Sequence, residues 1–169
     1  MPALGAVDAL PAHVLAANRL VHECSYGTVM SGVAGIETPC LLETRLVRKT
    51  DLWVLTSSVL QMADQLTGTY SSTESSNVIV AAGHGGSYAD TRLLAGLEAG
   101  MTLDVDPVTG IRTTVSYADG SVVAILEESN AERKTLVYDR RSGWLLQYVL
   151  EQHLPTGSFT TRYSLAGVE

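Results

Sequence analysis

The feature that most constrains this chain is a run of five short segments with alternating character between Gly100 and Leu165. Successive side chains of a β-strand point to opposite faces, so such alternation predicts strands. The segments span residues 111–117, 122–127, 134–139, 144–152 and 158–165. The connections between them are rich in Gly, Asp, Asn, Ser and Pro and are too short for a parallel crossover. The sequence therefore predicts an antiparallel β-meander.

The first half of the chain predicts further strands. One strand is expected over residues 21–30, and residues 31–35 turn it back into a second strand over 40–49. Residues 52–66 leave two alternatives open, because the apolar segment either continues as a strand to Leu60 or is interrupted by a helical turn. Residues 67–72 and 77–82 predict a hairpin around the polar residues between them.

Two short helices are also expected. Pro11 suits the first turn of a helix whose apolar face carries Leu10, Val14, Ala17 and Val21. Asp90 suits the N-cap of a second helix, which carries Leu93, Leu94 and Leu97 and ends at Gly100.

The whole chain of 169 residues is predicted to be one domain, with residues 1–12 as a flexible arm. It is 46% hydrophobic and only 17% charged, which is too apolar for disorder and suits a sheet with both faces largely covered. The predicted fold class is mainly β: an antiparallel β-barrel or strongly curved half-barrel with one or two short helices. Either a solid core or an internal cavity is compatible with this composition.

Charge and hydropathy exclude several classes of partner. The net charge is −7, and the 11 Lys and Arg residues are scattered, which argues against nucleic acid. No apolar run of about 18 residues and no basic-then-apolar leader occurs, so the sequence predicts no membrane span and no secretory signal. A cytoplasmic location is expected, and a homodimer stays open.

Cys24 and Cys40 are the two cysteines of the chain. A turn centred near residue 34 would place Cys24 opposite Thr44 and Cys40 opposite Thr28. In that register the two sulfur atoms cannot meet, so two buried free thiols are expected.

Most of the aromatic residues are predicted to share one face. Alternation puts Trp144 and Tyr148 on one side of their segment and Phe159 and Tyr163 on one side of the next. Buried Tyr and Trp each need a polar partner, which favours a lined cavity, although packing under the second helix is the alternative. The expected ligand-binding residues are Trp53, Tyr117, Tyr138, Trp144, Tyr148, Phe159 and Tyr163.

Three residues are candidates for catalysis. His84 lies in the Gly83-His84-Gly85-Gly86 loop, where backbone amides can face an anion and the imidazole can move protons near neutral pH. Glu43 lies in an otherwise apolar strand, where an inward-facing carboxyl would suit acid or base work, but alternation does not say which way it faces. Tyr148 is the third, because its hydroxyl could polarise a substrate.

The sequence contains no recognisable motif for a metal site, a nucleotide-binding site or an α/β-hydrolase site. No His, Cys, Asp or Glu residues have the spacing of metal ligands, so no metal is expected. There is no Rossmann or P-loop fingerprint and no G-x-S-x-G elbow, so no cofactor and no α/β-hydrolase site are expected.

The stretch from Thr135 to Tyr148, with Asp139-Arg140-Arg141-Ser142-Gly143 between two apolar segments, resembles the strand, Asp-x-x-x-Gly turn and strand of LolA/LolB-like lipoprotein carriers. The resemblance implies an N-terminal helix and an antiparallel half-barrel around a helical plug, with an apolar concave face for acyl chains. It identifies no catalytic residue. Some cofactor-free biosynthetic enzymes share that architecture, and lipocalin-like cyclases and isomerases have comparable barrels.

Three functional hypotheses follow from these observations. The first is binding of an apolar small molecule or lipid-like ligand in an aromatic-lined cavity. The second is a cofactor-independent cyclase or isomerase that folds its substrate in the same cavity. A structural or assembly role is the third reading, since residues 124–126 and 145–150 are apolar on both faces.

Overall fold

The computed structural model describes residues 9–33, 35–63, 67–81 and 86–169. Ten strands form one antiparallel sheet in the order β4-β3-β2-β1-β10-β9-β8-β7-β6-β5. The strands are β1 (Arg19–Met30), β2 (Ile36–Lys49), β3 (Trp53–Ala63), β4 (Tyr70–Val80), β5 (Thr102–Val105), β6 (Arg112–Ala118), β7 (Val122–Glu128), β8 (Glu132–Asp139), β9 (Leu145–Leu154) and β10 (Gly157–Val168). Two short helices, α1 (Ala12–Ala16) and α2 (Thr91–Ala95), complete the fold.

The predicted fold class, mainly β, is confirmed. Of its two alternatives, a closed barrel and a curved half-barrel, the structure is the half-barrel. The sheet is curved and antiparallel, and among the described residues its edge strands β4 and β5 do not pair with each other. The sheet is therefore open rather than a closed barrel.

The predicted C-terminal meander is confirmed as β6 to β10, because each predicted segment lies within one of these strands or differs from it only at the ends. β5 was not predicted. It is four residues long and wholly exposed, so it has no buried face to produce an alternating pattern. Pairing with β6 is what makes it a strand.

In the N-terminal half, β1 and β2 are confirmed, and β3 settles the open alternative in favour of a strand through Leu60. The predicted hairpin within residues 67–82 is wrong. β4 is one continuous strand that pairs with β3 from Tyr70 to Val80. Its Ser- and Thr-rich middle suggested a turn, but the strand is exposed at the sheet edge, where water can solvate those side chains.

The two helices form where they were expected, but both are short. Pro11 is the N-cap of α1 rather than its first helical residue. Asp90 is the N-cap of α2, and its Oδ1 accepts a hydrogen bond from the Arg92 backbone N–H at 2.8 Å. α2 ends at Ala95 because Gly96, a poor helix former, takes the C-cap position. Residues 1–8 of the predicted arm lie outside the described residues.

The prediction of two free thiols is wrong. β1 and β2 pair Cys24 directly with Cys40, at a Cα–Cα distance of 4.8 Å, and the two residues form a disulfide. β2 begins at Ile36, opposite Thr28, so the hairpin is centred at residue 32 rather than 34. A shift of two residues in the centre moves every cross-strand partner by four. The cytoplasmic location stays a prediction.

The buried core consists of two clusters on the concave face of the sheet. The first packs α1 and Trp144 against β1 to β4, through residues such as Val14, Leu20 and Val54. The second packs Ala89 and Leu94 against β6 to β9, through Val115, Val123, Ile125, Leu136, Tyr138 and Leu145. Each half of the sheet is thus covered by a different short segment.

Candidate functional site: an apolar pocket beside α2

A pocket of about 530 Å³ opens on the concave face between the α2 region and β5 to β8. Its lining is mostly aliphatic, with three leucines from the α2 region and Leu103, Ile125 and Leu136 from the strands. This volume lies within the range of small-molecule sites, about 300–1,000 Å³. The pocket is therefore the candidate functional site.

The floor of the pocket follows from the register of the strands. Ile125 of β7 is paired with Leu136 of β8, so both side chains point to the concave face. Tyr138, two residues further along β8, closes the floor. Its hydroxyl donates to the Gly86 carbonyl at 3.1 Å, which fixes the ring in place.

The roof is formed by α2 and the turn that follows it. Leu94 is buried, whereas Leu93 is 43% exposed and lines the pocket. The N-cap Asp90 also pairs with the Arg92 guanidinium, at 2.5 Å between Oδ2 and Nη2. Arg140 donates to the carbonyls of Ala95 and Leu97 at 3.3 and 2.6 Å. These contacts hold a five-residue helix that is too short to be stable alone.

One side of the pocket is polar. Thr113 of β6 is paired with Asp104 of β5 and with Glu127 of β7, so the three residues form a row across the strands. The Glu127 carboxylate forms an ion pair with the Lys134 ammonium. A ligand in the pocket would therefore contact an apolar surface of leucine and isoleucine on one side and this polar row on the other.

Two of the predicted ligand-binding aromatics lie together on the concave face next to the pocket. The Tyr148 and Tyr163 rings have centroids 5.3 Å apart, and the Tyr163 hydroxyl is 3.0 Å from that of Tyr26. Tyr148 also packs against the cluster that contains Leu136. Burial raises the pKa of Tyr148, and burial together with the Tyr26 hydrogen bond raises that of Tyr163, so both phenols stay neutral at physiological pH.

Trp144 does not share a cluster with Tyr148, contrary to the predicted face. A bulge in the β8–β9 pairing shifts the register between Val137 and Tyr138 and pairs Tyr138 with Leu145. Alternation is therefore interrupted, and Trp144 packs in the first core cluster. Its ring lies edge-on to those of Tyr88 and His13, at centroid distances of 5.7 and 6.1 Å.

The other predicted aromatics are dispersed. A bulge between Val115 and Tyr117 turns Tyr117 away from the concave face, so it is 53% exposed and its hydroxyl donates to Asp119 at 2.8 Å. Phe159 is exposed near the β9–β10 turn, and Trp53 is half-buried at the start of β3. Of the seven predicted residues, Tyr138 is the one that lines the pocket.

The predicted catalytic residues are not brought together. Thr44 is buried on the concave side, so its neighbour Glu43 points to the opposite face. There the Glu43 carboxylate pairs with Arg45 at 2.7 Å and Arg19 at 2.9 Å, and these contacts hold its pKa below the usual range. Tyr148 lies on the concave face. His84 lies outside the described residues.

Sequence reasoning missed a buried histidine. His22 Nε2 donates to the Leu145 carbonyl at 3.1 Å, and among the described residues its Nδ1 has no hydrogen-bond partner. Burial lowers the pKa of this imidazole, so it is neutral. Its position two residues from both Leu20 and Cys24 was the available signal that it faces the core.

The described residues contain neither a metal-binding cluster nor a helix that could span a membrane. In the described ranges, no group of three or more His, Cys, Asp or Glu side chains is placed to hold a metal ion. No helix in that part of the chain has the length and apolar character needed to cross a membrane.

This protein has a remote structural likeness to a solved structure. No family model and no curated protein matches this sequence. The structure is similar to a LolA superfamily protein from Nitrosomonas europaea, which is 10% identical, with 90% of this chain and 86% of that chain covered and a TM-score of 0.26. This is the superfamily that the stretch from Thr135 to Tyr148 resembles. At this TM-score and identity, the likeness carries no information on function.

Proposed function

We propose that this protein binds an apolar small molecule or lipid-like ligand on the concave face of its sheet. The observation that carries the proposal is the aliphatic pocket of about 530 Å³ between the α2 region and β5 to β8. Leu93 and Leu103 line it and remain 43% and 41% exposed, so a ligand can still remove apolar surface from water there. Each 100 Å² of apolar surface buried contributes about 2.5 kcal/mol before the costs of association.

The polar row beside the pocket orients this ligand. Thr113 and Asp104 offer a hydroxyl and a carboxylate next to the aliphatic floor, and Glu127 is already paired with Lys134. A ligand with one polar end would place that end against this row and its apolar part beneath α2. The predicted lining by aromatic residues is replaced in this proposal by a lining of leucine and isoleucine with Tyr138.

A cyclase or isomerase activity stays a prediction, and no observation favours it over binding. An enzyme needs at least two polar groups that converge on one point of the substrate. Glu43 and Tyr148 lie on opposite faces of the sheet and cannot act on one substrate. We therefore keep binding as the conclusion.

The test compares two variants in the same strand. Leu103 lines the pocket, whereas Val105, which is 49% exposed, does not. We expect wild-type protein to bind the fluorescent probe N-phenylnaphthylamine saturably, with dodecan-1-ol, whose hydroxyl suits the polar row, as competitor. Leu103→Glu should weaken binding about tenfold or more, because a carboxylate in an apolar site must be desolvated or neutralised.

Val105→Glu is the matched control and should bind the probe as the wild type does. It carries the same charge, in the same strand, outside the pocket. Equal loss in both variants, or no saturable binding by the wild type, would refute the proposal. Circular dichroism and urea unfolding of both variants show whether the fold is retained.

A further inference from the structure

The β4 strand is a long sheet edge. It has 11 residues, and β3 is the one strand among the described residues that pairs with it. An unpaired edge presents a row of backbone N–H and C=O groups that can accept another strand. Ten of its residues are exposed, and Ile79 is the buried one.

β4 lacks most of the features that usually protect such an edge; Asn77 Oδ1 accepts from one edge donor, the Val78 N–H, at 2.8 Å, and a second strand would replace this contact. Its sequence contains one charged residue, Glu74, and no Lys, Arg or Pro. Its pairing with β3 continues without a bulge from one end to the other. The opposite edge is different: β5 has four residues and a register shift between Thr102 and Asp104. One edge is short and irregular, and the other is long and regular.

The exposed side chains of β4 are self-complementary about Ser75. In an antiparallel pair centred there, Tyr70 lies opposite Val80, Ser72 opposite Val78, and Glu74 opposite Ser76. Tyr70 and Val80 are 81% and 46% exposed in the single chain, and aromatic–β-branched pairs stabilise antiparallel sheets. A two-fold axis repeats each pair, and no Glu lies opposite another Glu.

We propose that β4 is a dimerisation edge, at which a second copy of this chain adds antiparallel about an axis through Ser75. The sheets of the two copies join into one continuous sheet. In this pair even-numbered residues lie opposite even-numbered ones, and odd opposite odd. The concave faces of the two copies, and both pockets, therefore lie on the same side of the joined sheet. The pocket itself is at the far end of each sheet and takes no part in the contact.

Opposite charge changes at Ser76 test the proposal. Ser76→Lys places an ammonium opposite Glu74 of the other copy, whereas Ser76→Glu places a second carboxylate there. Within one chain Ser76 is paired with Ser57, so both variants have the same neutral partner in β3. In sedimentation equilibrium, we expect the dimer dissociation constant of the Glu variant to exceed that of the Lys variant by about tenfold, ~1.4 kcal/mol.

Cross-linking tests the register. In the proposed pair Ser75 lies opposite itself, so Ser75→Cys should form a disulfide-linked dimer under mild oxidation, since the native cysteines are already paired. Ser72→Cys is the control, because its counterpart lies six residues along the other strand, ~20 Å away, beyond the reach of a disulfide.

The expected results are a concentration-dependent dimer, a charge effect of the stated sign and faster cross-linking at residue 75 than at residue 72. The proposal would be overturned by a monomer at every concentration, by equal dimerisation of the two Ser76 variants, or by equal cross-linking at both positions. A monomer that binds an extended peptide from another protein at this edge would also overturn it.

Discussion

At Gly143 the backbone leaves no room for a side chain. Its φ is +77°, and a Cβ there would lie 2.2 Å from the Ala89 carbonyl oxygen and 2.5 Å from the Tyr88 ring. Gly143 closes the Asp-x-x-x-Gly turn between β8 and β9, and its own carbonyl accepts from the Ala89 N–H at 2.8 Å. This glycine therefore sets how closely the segment before α2 approaches the sheet.

Gly143→Ala is expected to destabilise the protein much more than Gly110→Ala. Gly110 closes a similar Asp-x-x-x-Gly turn with φ +72°, but no atom lies within 4 Å of the position of its Cβ. The Gly110 variant should lose ~1–2 kcal/mol from backbone strain alone. The Gly143 variant should lose a further ~2 kcal/mol or more, because backbone must move. Urea unfolding measures both, and equal losses would contradict the assigned contact.

The buried His22 imidazole predicts a pH dependence of stability. Burial lowers its pKa in the folded state, so between the folded and unfolded values the unfolded state binds more protons. Its contribution is therefore complete above about pH 6.5 and is lost as the pH falls toward the lowered pKa. His22→Gln removes this titration.

Urea unfolding of the wild type and the His22→Gln variant from alkaline to mildly acidic pH checks this expectation. The free-energy difference between the two proteins should shrink as the pH falls below about 6.5, by up to ~1.4 kcal/mol per pH unit. A difference that stays constant with pH would contradict a neutral buried His22.

At the level of elements, α2 depends on its cap more than on its own helical propensity. It has five residues, and its N-cap Asp90 is buried while bonded to the Arg92 backbone and side chain. Helices this short are not stable in isolation. The roof of the pocket is therefore ordered through contacts at both ends of the helix.

Asp90→Ala should cost ~1–2 kcal/mol of stability and also weaken probe binding, because Leu93 and Leu94 lose their fixed position. Asp90→Ser keeps a capping oxygen and should recover part of both losses. Urea unfolding and N-phenylnaphthylamine titration of the two variants measure this. Unchanged probe binding in Asp90→Ala would show that α2 does not form the roof.

At the scale of the whole molecule, the Cys24–Cys40 disulfide joins two neighbouring strands in the N-terminal half of the sheet. The bridged residues are 16 apart in sequence. Cross-linking a loop of about 15 residues stabilises a fold by ~3 kcal/mol in the chain-entropy model.

Removing both sulfurs with Cys24→Ala/Cys40→Ala should therefore lower the free energy of unfolding by ~3 kcal/mol. Wild-type protein treated with a reductant should unfold at the same urea concentration as the double variant, whereas the double variant should not respond to reductant. A wild type that is unaffected by reductant would contradict the disulfide.

The sequence by itself determined the elements whose signals are local. Alternation and turn residues predicted β6 to β10, and Asp90 predicted the start of α2, because each signal comes from a few neighbouring residues. β5 and the continuous β4 were missed, since an exposed edge strand has no buried face and exists only through its partner.

Only the tertiary structure decided which residues meet. The disulfide depended on a hairpin centre two residues from the predicted one, and the bulges near Tyr117 and Leu145 broke the shared aromatic face. Register and bulges are set by pairing with neighbouring strands, and a shift of one residue moves a side chain to the other face. The pocket forms because α2 lies over Ile125 and Leu136, and both residues are distant from α2 in sequence.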